Sequence, residues 1–171
     1  NKGTAERPLM PVSTIPNNAA IASKEEIPSA EVNKIINTKI RKMIGEKFPG
    51  SITDNEEAIQ LHPERWFDIA SWLKNEESLS FDSLQCQMGI DVGNDNLESR
   101  YNLHSMIHDH YIEIRIKVPI SNPAIPSVEK IWRIADWFER ETYDMFGIEF
   151  TGHRDLRRIL LPEDWEGWPL R

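Results

Sequence analysis

From Leu84 to Val92 the chain alternates. Leu84, Cys86, Met88, Ile90 and Val92 are apolar, and Gln85, Gln87, Gly89 and Asp91 fall between them. Period two marks a strand with one buried face, so these apolar side chains are expected in the core. Gly93-Asn94-Asp95-Asn96 is a turn sequence. Beyond it Tyr101, Leu103, Ser105 and Ile107 alternate with Asn102, His104 and Met106. The His108-Asp109-His110 stretch turns the chain back, and Ile112, Ile114, Ile116 and Val118 then alternate with Glu113, Arg115 and Lys117. Runs of this kind joined by short polar turns predict an antiparallel meander.

Other stretches carry helical spacing. Val32, Ile35, Ile36, Ile40, Met43 and Ile44 make a first apolar face, with Ser29 near the start and Pro49-Gly50 as a stop. Trp66, Ile69, Ala70 and Leu73 make a second, opened by Pro63. A third helix is expected to begin at Val128, capped by Ser127, with Ile131, Ile134, Ala135, Phe138 and Met145 on one face and Gly147 at its end. Two short strand candidates, Ser51–Asn55 and Glu57–His62, are joined by a turn at Asp54-Asn55. The expected fold is α+β: a mixed or antiparallel sheet with helices packed on one face, and an irregular C-terminal extension. Residues 1–30, with Pro8, Pro11, Pro16 and Pro28, read as a flexible tail. Residues 31–146 form the domain. Residues 147–171 lack periodicity but hold Ile159, Leu160, Leu161, Trp165 and Trp168, too apolar for a free tail, so they are expected to lie extended over a partner surface.

Composition narrows the chemistry. A chain of 171 residues with 39% hydrophobic content can build one core. Its mean hydropathy is −0.52, and no apolar run approaches the ~20 residues of a membrane helix. A net charge of −8 is the wrong sign for a general nucleic-acid binder. The single cysteine, Cys86, makes no internal disulfide and cannot alone hold an iron–sulfur cluster or a structural zinc. It is expected to be a small buried hydrophobe. No phosphate-binding glycine loop, dinucleotide fingerprint or nucleophile elbow is present. The first residues lack a signal-peptide pattern, and the start at Asn1 implies residues upstream.

The densest polar stretch is Glu139-Arg140-Glu141-Thr142-Tyr143-Asp144, followed by His153, Arg157 and Arg158. Glu141 and Asp144 share a helix face and, with His153, could hold a metal. Paired carboxylates could instead serve as general acid and base. A solvated helix face is the plain alternative. A fourth reading is a polar network in which Glu139 or Glu141 ties Arg157 or Arg158 and so fixes the irregular segment to the helix. His104, His108 and His110 read as surface and turn histidines. Trp165 and Trp168, with the arginines, have the composition of an interface anchor.

The stretch from Glu139 to Arg171 resembles the 30 kDa subunit family of respiratory complex I, the proton-pumping NADH:quinone oxidoreductase. The resemblance rests on Glu139-Arg140-Glu141, Asp144, Met145-Phe146, His153, Arg157 and Ile159-Leu160 at fixed spacing, and on the closing Pro169-Leu170-Arg171. It extends upstream through Ile125–Trp137. Arg154 stands where the family usually has Pro, and Trp168 where many members have His or Tyr. The family's usual Lys-Asp-Tyr-Pro does not follow Arg171. The resemblance implies a subunit of that oxidoreductase with no catalytic, cofactor-binding or metal-ligating residues of its own. NAD, FMN, iron–sulfur clusters and quinone would lie in partner subunits. The partners implied are the large quinone-site subunit and the iron–sulfur subunits, with no nucleic acid and no membrane span. The implied location is peripheral, on the cytoplasmic face of a bacterial plasma membrane, or alternatively on the thylakoid stromal or mitochondrial matrix side. Glu139, Arg140, Glu141, Asp144, His153, Arg157, Arg158, Trp165 and Trp168 would be structural and docking residues. Similar modules serve ferredoxin-dependent photosynthetic complexes and membrane-bound hydrogenases.

Overall fold

The computed structural model describes residues 29–53 and 58–171. The expected proline-rich tail and the Asp54-Asn55 turn lie outside the described residues, apart from Ser29 and Ala30. The elements run α1 (Ser29–Lys47), β1 (Ile59–Leu61), α2 (Trp66–Asn75, entered by a single 3-10 turn), β2 (Ser83–Gly93), β3 (Asn96–Ser105), β4 (His110–Pro119), β5 (Ala124–Pro126), α3 (Ala135–Phe146) and β6 (Glu149–Thr151). One sheet has the order β1-β4-β3-β2, with β1 parallel to β4 and the other pairs antiparallel. The meander is therefore β2-β3-β4, and the fold is α+β with a mixed sheet as expected. A second, two-stranded parallel sheet pairs β5 with β6.

The core follows the alternation of β3 and β4. Leu97, Tyr101 and Leu103 lie opposite Val118, Ile114 and Ile112, and all are buried. From α2, Trp66, Ile69, Ala70 and Leu73 close over the same core. The Trp66 ring centroid is 4.6 Å from that of Tyr101 and 6.4 Å from that of Trp132. Burying such a large aromatic is among the larger single contributions to a domain this size. From α1, Ile40 and Ile44 join the core, and Phe48 meets Trp72 edge-on. Ile35, expected on that face, is 65% exposed, because the buried line runs through Ile36, Ile40 and Ile44, one helical turn apart.

Three further expectations are corrected, and one strand was not anticipated. In β2 the ladder shifts register between Leu84 and Cys86, leaving Gln85 as an extra residue. That bulge reverses the parity. Gln87 turns inward, and Met88 is 42% exposed; Cys86 is half-buried and outside the core. Gln87 is accommodated because its Nε2 donates to Ser99 Oγ at 2.8 Å and Thr142 Oγ1 at 3.0 Å. Next, β3 ends at Ser105, so Ile107 belongs to the turn and is exposed. The unanticipated strand is Ala124–Pro126, which pairs despite Pro126, at the edge position that proline tolerates. Finally, α3 starts at Ala135 rather than Val128. Residues 128–134 form successive turns instead. Their entry is fixed by Glu139, which accepts from Ser127 Oγ at 2.6 Å and from Val128 N at 2.8 Å.

Candidate functional site

The helix α3 buries an unusual set of residues: Ala135, Glu139, Arg140, Thr142 and Asp144. Most of this buried stripe is polar, and it is spent on holding other segments. The helix ends at Gly147, with φ +66°, whose N–H bonds to Tyr143 O. A side chain there would be strained by the left-handed backbone and would also strike the Trp168 ring. Ile148 and Phe150 then return to the core through β6, so the irregular segment begins past the expected boundary at 146.

After Gly152 the chain doubles back along α3, and Asp144 is the point it closes on. Asp144 Oδ2 accepts from the N–H groups of Ile159 at 3.0 Å, Leu160 at 2.7 Å and Leu161 at 2.9 Å. Its Oδ1 takes Arg158 Nη1 at 2.7 Å. Successive backbone N–H groups around one carboxylate form an anion nest. Burial would raise the Asp144 pKa; the Leu161 N–H, the Arg158 guanidinium and the Leu160 and Ile159 N–H groups outweigh it and hold it below the ordinary value. The carboxylate therefore stays ionised and the clasp stays closed at neutral pH.

Arg158 and Arg140 lock the same segment from two sides. Arg158 Nη2 donates to the carbonyls of Trp165 at 3.1 Å and Gly167 at 2.9 Å, and its guanidinium lies 4.7 Å from the Trp168 ring centroid. Arg140 donates to the carbonyls of Arg157 and Arg158, both at 3.2 Å. At the end, Leu170 N bonds to Met145 O at 3.1 Å, and Arg171 Nε to Phe146 O at 2.6 Å. Trp168 meets Tyr143 edge-on at 5.1 Å. The expected network thus exists with different members. Asp144 holds Arg158, whereas Glu139 and Glu141 hold neither arginine. The Arg157 side chain is exposed and pairs with Asp155 at 2.9 Å; only its backbone carbonyl is used.

A second polar cluster lies at the other end of α3. His153 has a fully buried side chain, and its Nε2 is 3.3 Å from Asp136 O, 3.5 Å from Asp136 Oδ1 and 3.9 Å from Glu139 Oε2. Glu139 itself is inaccessible, and burial pushes its pKa up to about 7, against the pull of the Ser127 and Val128 donors; Glu129 and Asp136 push it further up. His153 does not join Glu141 and Asp144, so that expected trio is not assembled. Glu129, Asp136 and His153 do offer ligand atoms within 4.8 Å of one another. Yet the Asp155 N–H donates to His153 Nδ1 at 3.0 Å. Nδ1 is thus the acceptor and Nε2 carries the proton, with no lone pair for a cation. Arg154 also occupies the site, paired with Asp136 and 3.3 Å from Glu129. The arrangement is an ion-paired structural network. Reasoning from sequence gave no place in the site to Glu129 or Asp136, and read Ser127 only as a helix cap and Arg171 only as part of the family resemblance; Arg154 stood out only as a departure from the family pattern.

The fold and the clasp define a small α+β module whose C-terminal strap is tied to its last helix. The chain belongs to the respiratory-chain NADH dehydrogenase 30 Kd subunit family, whose model matches residues 59–171. Among curated proteins it is 39% identical over 137 residues to an NADH-quinone oxidoreductase subunit of Chloroherpeton thalassium, covering 76% of this chain and 57% of that protein. It is 39% identical to the same-named protein of Chlorobium phaeobacteroides, over 75% of this chain and 82% of that one. With its namesake in Roseiflexus castenholzii it shares 43% identity over 67% of each chain. The chain thus spans little more than half the length of the first of these relatives. Among solved structures, a trypsin-resistant fragment of Nqo5 superposes with a TM-score of 0.55 at 26% identity, over 71% of this chain and 98% of that fragment. A chain of an archaeal membrane-bound sulfane sulfur reductase shares the fold, with a TM-score of 0.60 at 20% identity, over 74% and 77% of the two chains.

Proposed function

We propose that this chain is a non-catalytic subunit of the peripheral arm of an NADH:quinone oxidoreductase, and that its α3–strap face docks the large quinone-site subunit and the iron–sulfur subunits. NAD, FMN, iron–sulfur clusters and quinone then belong to those partners. The observation that carries the reading is the Asp144 clasp. Of the charged residues of the family pattern, Arg140 and Asp144 hold the strap, His153 takes the Asp155 N–H, Glu139 holds the turn at Ser127-Val128, and Glu141 and Arg157 lie on the surface. The strap in turn leaves Leu160, Trp165 and Leu170 between 47% and 62% exposed. Rigid, outward apolar and aromatic side chains on a pre-ordered backbone are what a protein interface uses. No described helix is long and apolar enough to cross a membrane, which fits a peripheral position.

The test is assembly. Asp144→Ala in the native complex is expected to lower recovery of the arm on purification, while the isolated wild-type chain shows no redox absorbance. Normal assembly with lost turnover in Asp144→Ala would contradict the docking role. The proteins that co-purify also identify the electron donor, NADH or ferredoxin.

A further inference from the structure

A groove of about 210 Å³ opens between β2 and α3, next to the strap's end. Its lining includes Met88, Met145, Phe146 and Leu170 as apolar walls, with Gln87 and Glu141 as polar members. Gly89 lets the helix approach this closely, since a β-carbon there would sit 2.6 Å from the Phe146 ring. Two acceptors among the lining residues are unused. Gln87 is 4% exposed, and with Nε2 spent on Ser99 and Thr142, its Oε1 has no partner. Glu141 is exposed and makes no hydrogen bond or ion pair with any described residue. Arg171, which follows Leu170 at the rim, directs its guanidinium to the carbonyls of Phe146 and Gly147.

We infer that this groove is a receptor for one long cationic side chain, arginine or lysine, presented by a partner subunit. The inference deepens the docking reading above and rests on it. Three features select the occupant. The volume is below the ~300–1,000 Å³ of pockets that take drug-sized ligands, so it suits a single side chain. Its walls are apolar and match the methylene stem of such a side chain. The unpartnered acceptors are a buried amide oxygen and a carboxylate, and the one hydroxyl in the lining, Thr142, already accepts from Gln87, so the best-matched head is a donor and, opposite Glu141, positively charged. A carboxylate or phosphate would meet repulsion from Glu141 and no cationic side chain in the lining.

The test uses the full chain labelled with 13C at its methionine methyls and titrated with n-butylguanidinium, with n-butylurea as the neutral isostere. Met88 and Met145 report on the groove, and Met43 and Met106 lie outside its lining as controls. The expected result is a saturable shift of Met88 and Met145 with butylguanidinium alone, weakened by up to about fivefold in Glu141→Gln, the scale of one exposed ion pair. Glu141 is on the surface, so that variant keeps the fold. Equal shifts with butylurea, equal shifts at Met106, or an unchanged titration in Glu141→Gln would each overturn the receptor. If the titration fails while Asp144→Ala still impairs assembly, the receptor falls and the docking reading stands. If the titration succeeds while Asp144→Ala assembles normally, the docking reading falls.

Discussion

Phe150 is 1% exposed and Leu160 is 62% exposed, yet both are fixed, and by different means. Phe150 belongs to a body held by apolar burial, centred on Trp66, Tyr101 and the alternating faces of β3 and β4. Leu160 belongs to a strap whose backbone is held by one carboxylate and three arginines. Removing water from apolar surface is non-directional and tolerates shape changes. A charged hydrogen-bond clasp is directional and depends on a few atoms. The body should therefore lose stability in proportion to what is cut from it. The strap should fail as a unit when one residue goes.

That contrast can be broken at several points. Trp66→Ala removes a fully buried ring and is expected to cost about 3–5 kcal/mol of global stability, read by chemical denaturation. Next comes Asp144→Ala, which leaves Arg158 and three backbone N–H groups without their acceptor. The cost is about 3 kcal/mol, felt in the strap, with proteolytic cleavage appearing within residues 155–171 while the body stays resistant. Cleavage in the body at the same rate would mean that the two regions are one cooperative unit.

Glu139 sits at the seam and sharpens the comparison through pH. Its pKa rises from 4.5 to about 7 on folding, so the folded chain holds that proton more tightly than the unfolded one. Stability then falls as pH rises from about 4.5 through about 7, by up to about 3 kcal/mol at ~1.4 kcal/mol per unit. Glu139→Gln should flatten that decline in a pH series of melting curves, and a decline of unchanged size in the variant would remove Glu139 as its source. Asp144 has the opposite sign: its stabilisation is present above the ordinary carboxylate range and is lost only as acid protonates it. The smallest effect belongs to Arg157→Ala, within about 0.5 kcal/mol, because only its carbonyl is used. A large loss there would place the strap's anchor at the wrong arginine.

The two regions also differed in how far the sequence announced them. The apolar spacing of α2 and the alternation of β3 and β4 report burial directly, and Trp66, Ile69, Ala70 and Leu73 fell where the pattern put them. β2 defeated the same logic. Its alternation is real, but a bulge at Gln85 reverses which parity faces inward. The partners that settle Gln87 inside lie 12 and 55 residues away, on β3 and α3. The start of α3 was hidden for a similar reason, since a carboxylate from Glu139 holds Val128 in a turn. Asp144 stood among the candidates, but its partners are largely backbone N–H groups, which every non-proline residue carries. No side-chain pattern marks such a nest, so sequence could offer arginines as partners and could not choose among them.

The most direct test of the clasp is hydrogen exchange at the amides of Ile159, Leu160 and Leu161 in the isolated chain at neutral pH. These N–H groups point at Asp144 in a segment with no fully buried apolar side chain. The clasp predicts strong protection at all three, lost together in Asp144→Ala, with exchange in β3 and β4 little changed. Exchange at free-peptide rates in the wild-type chain would contradict it, and would mean that the strap is ordered only by its partner.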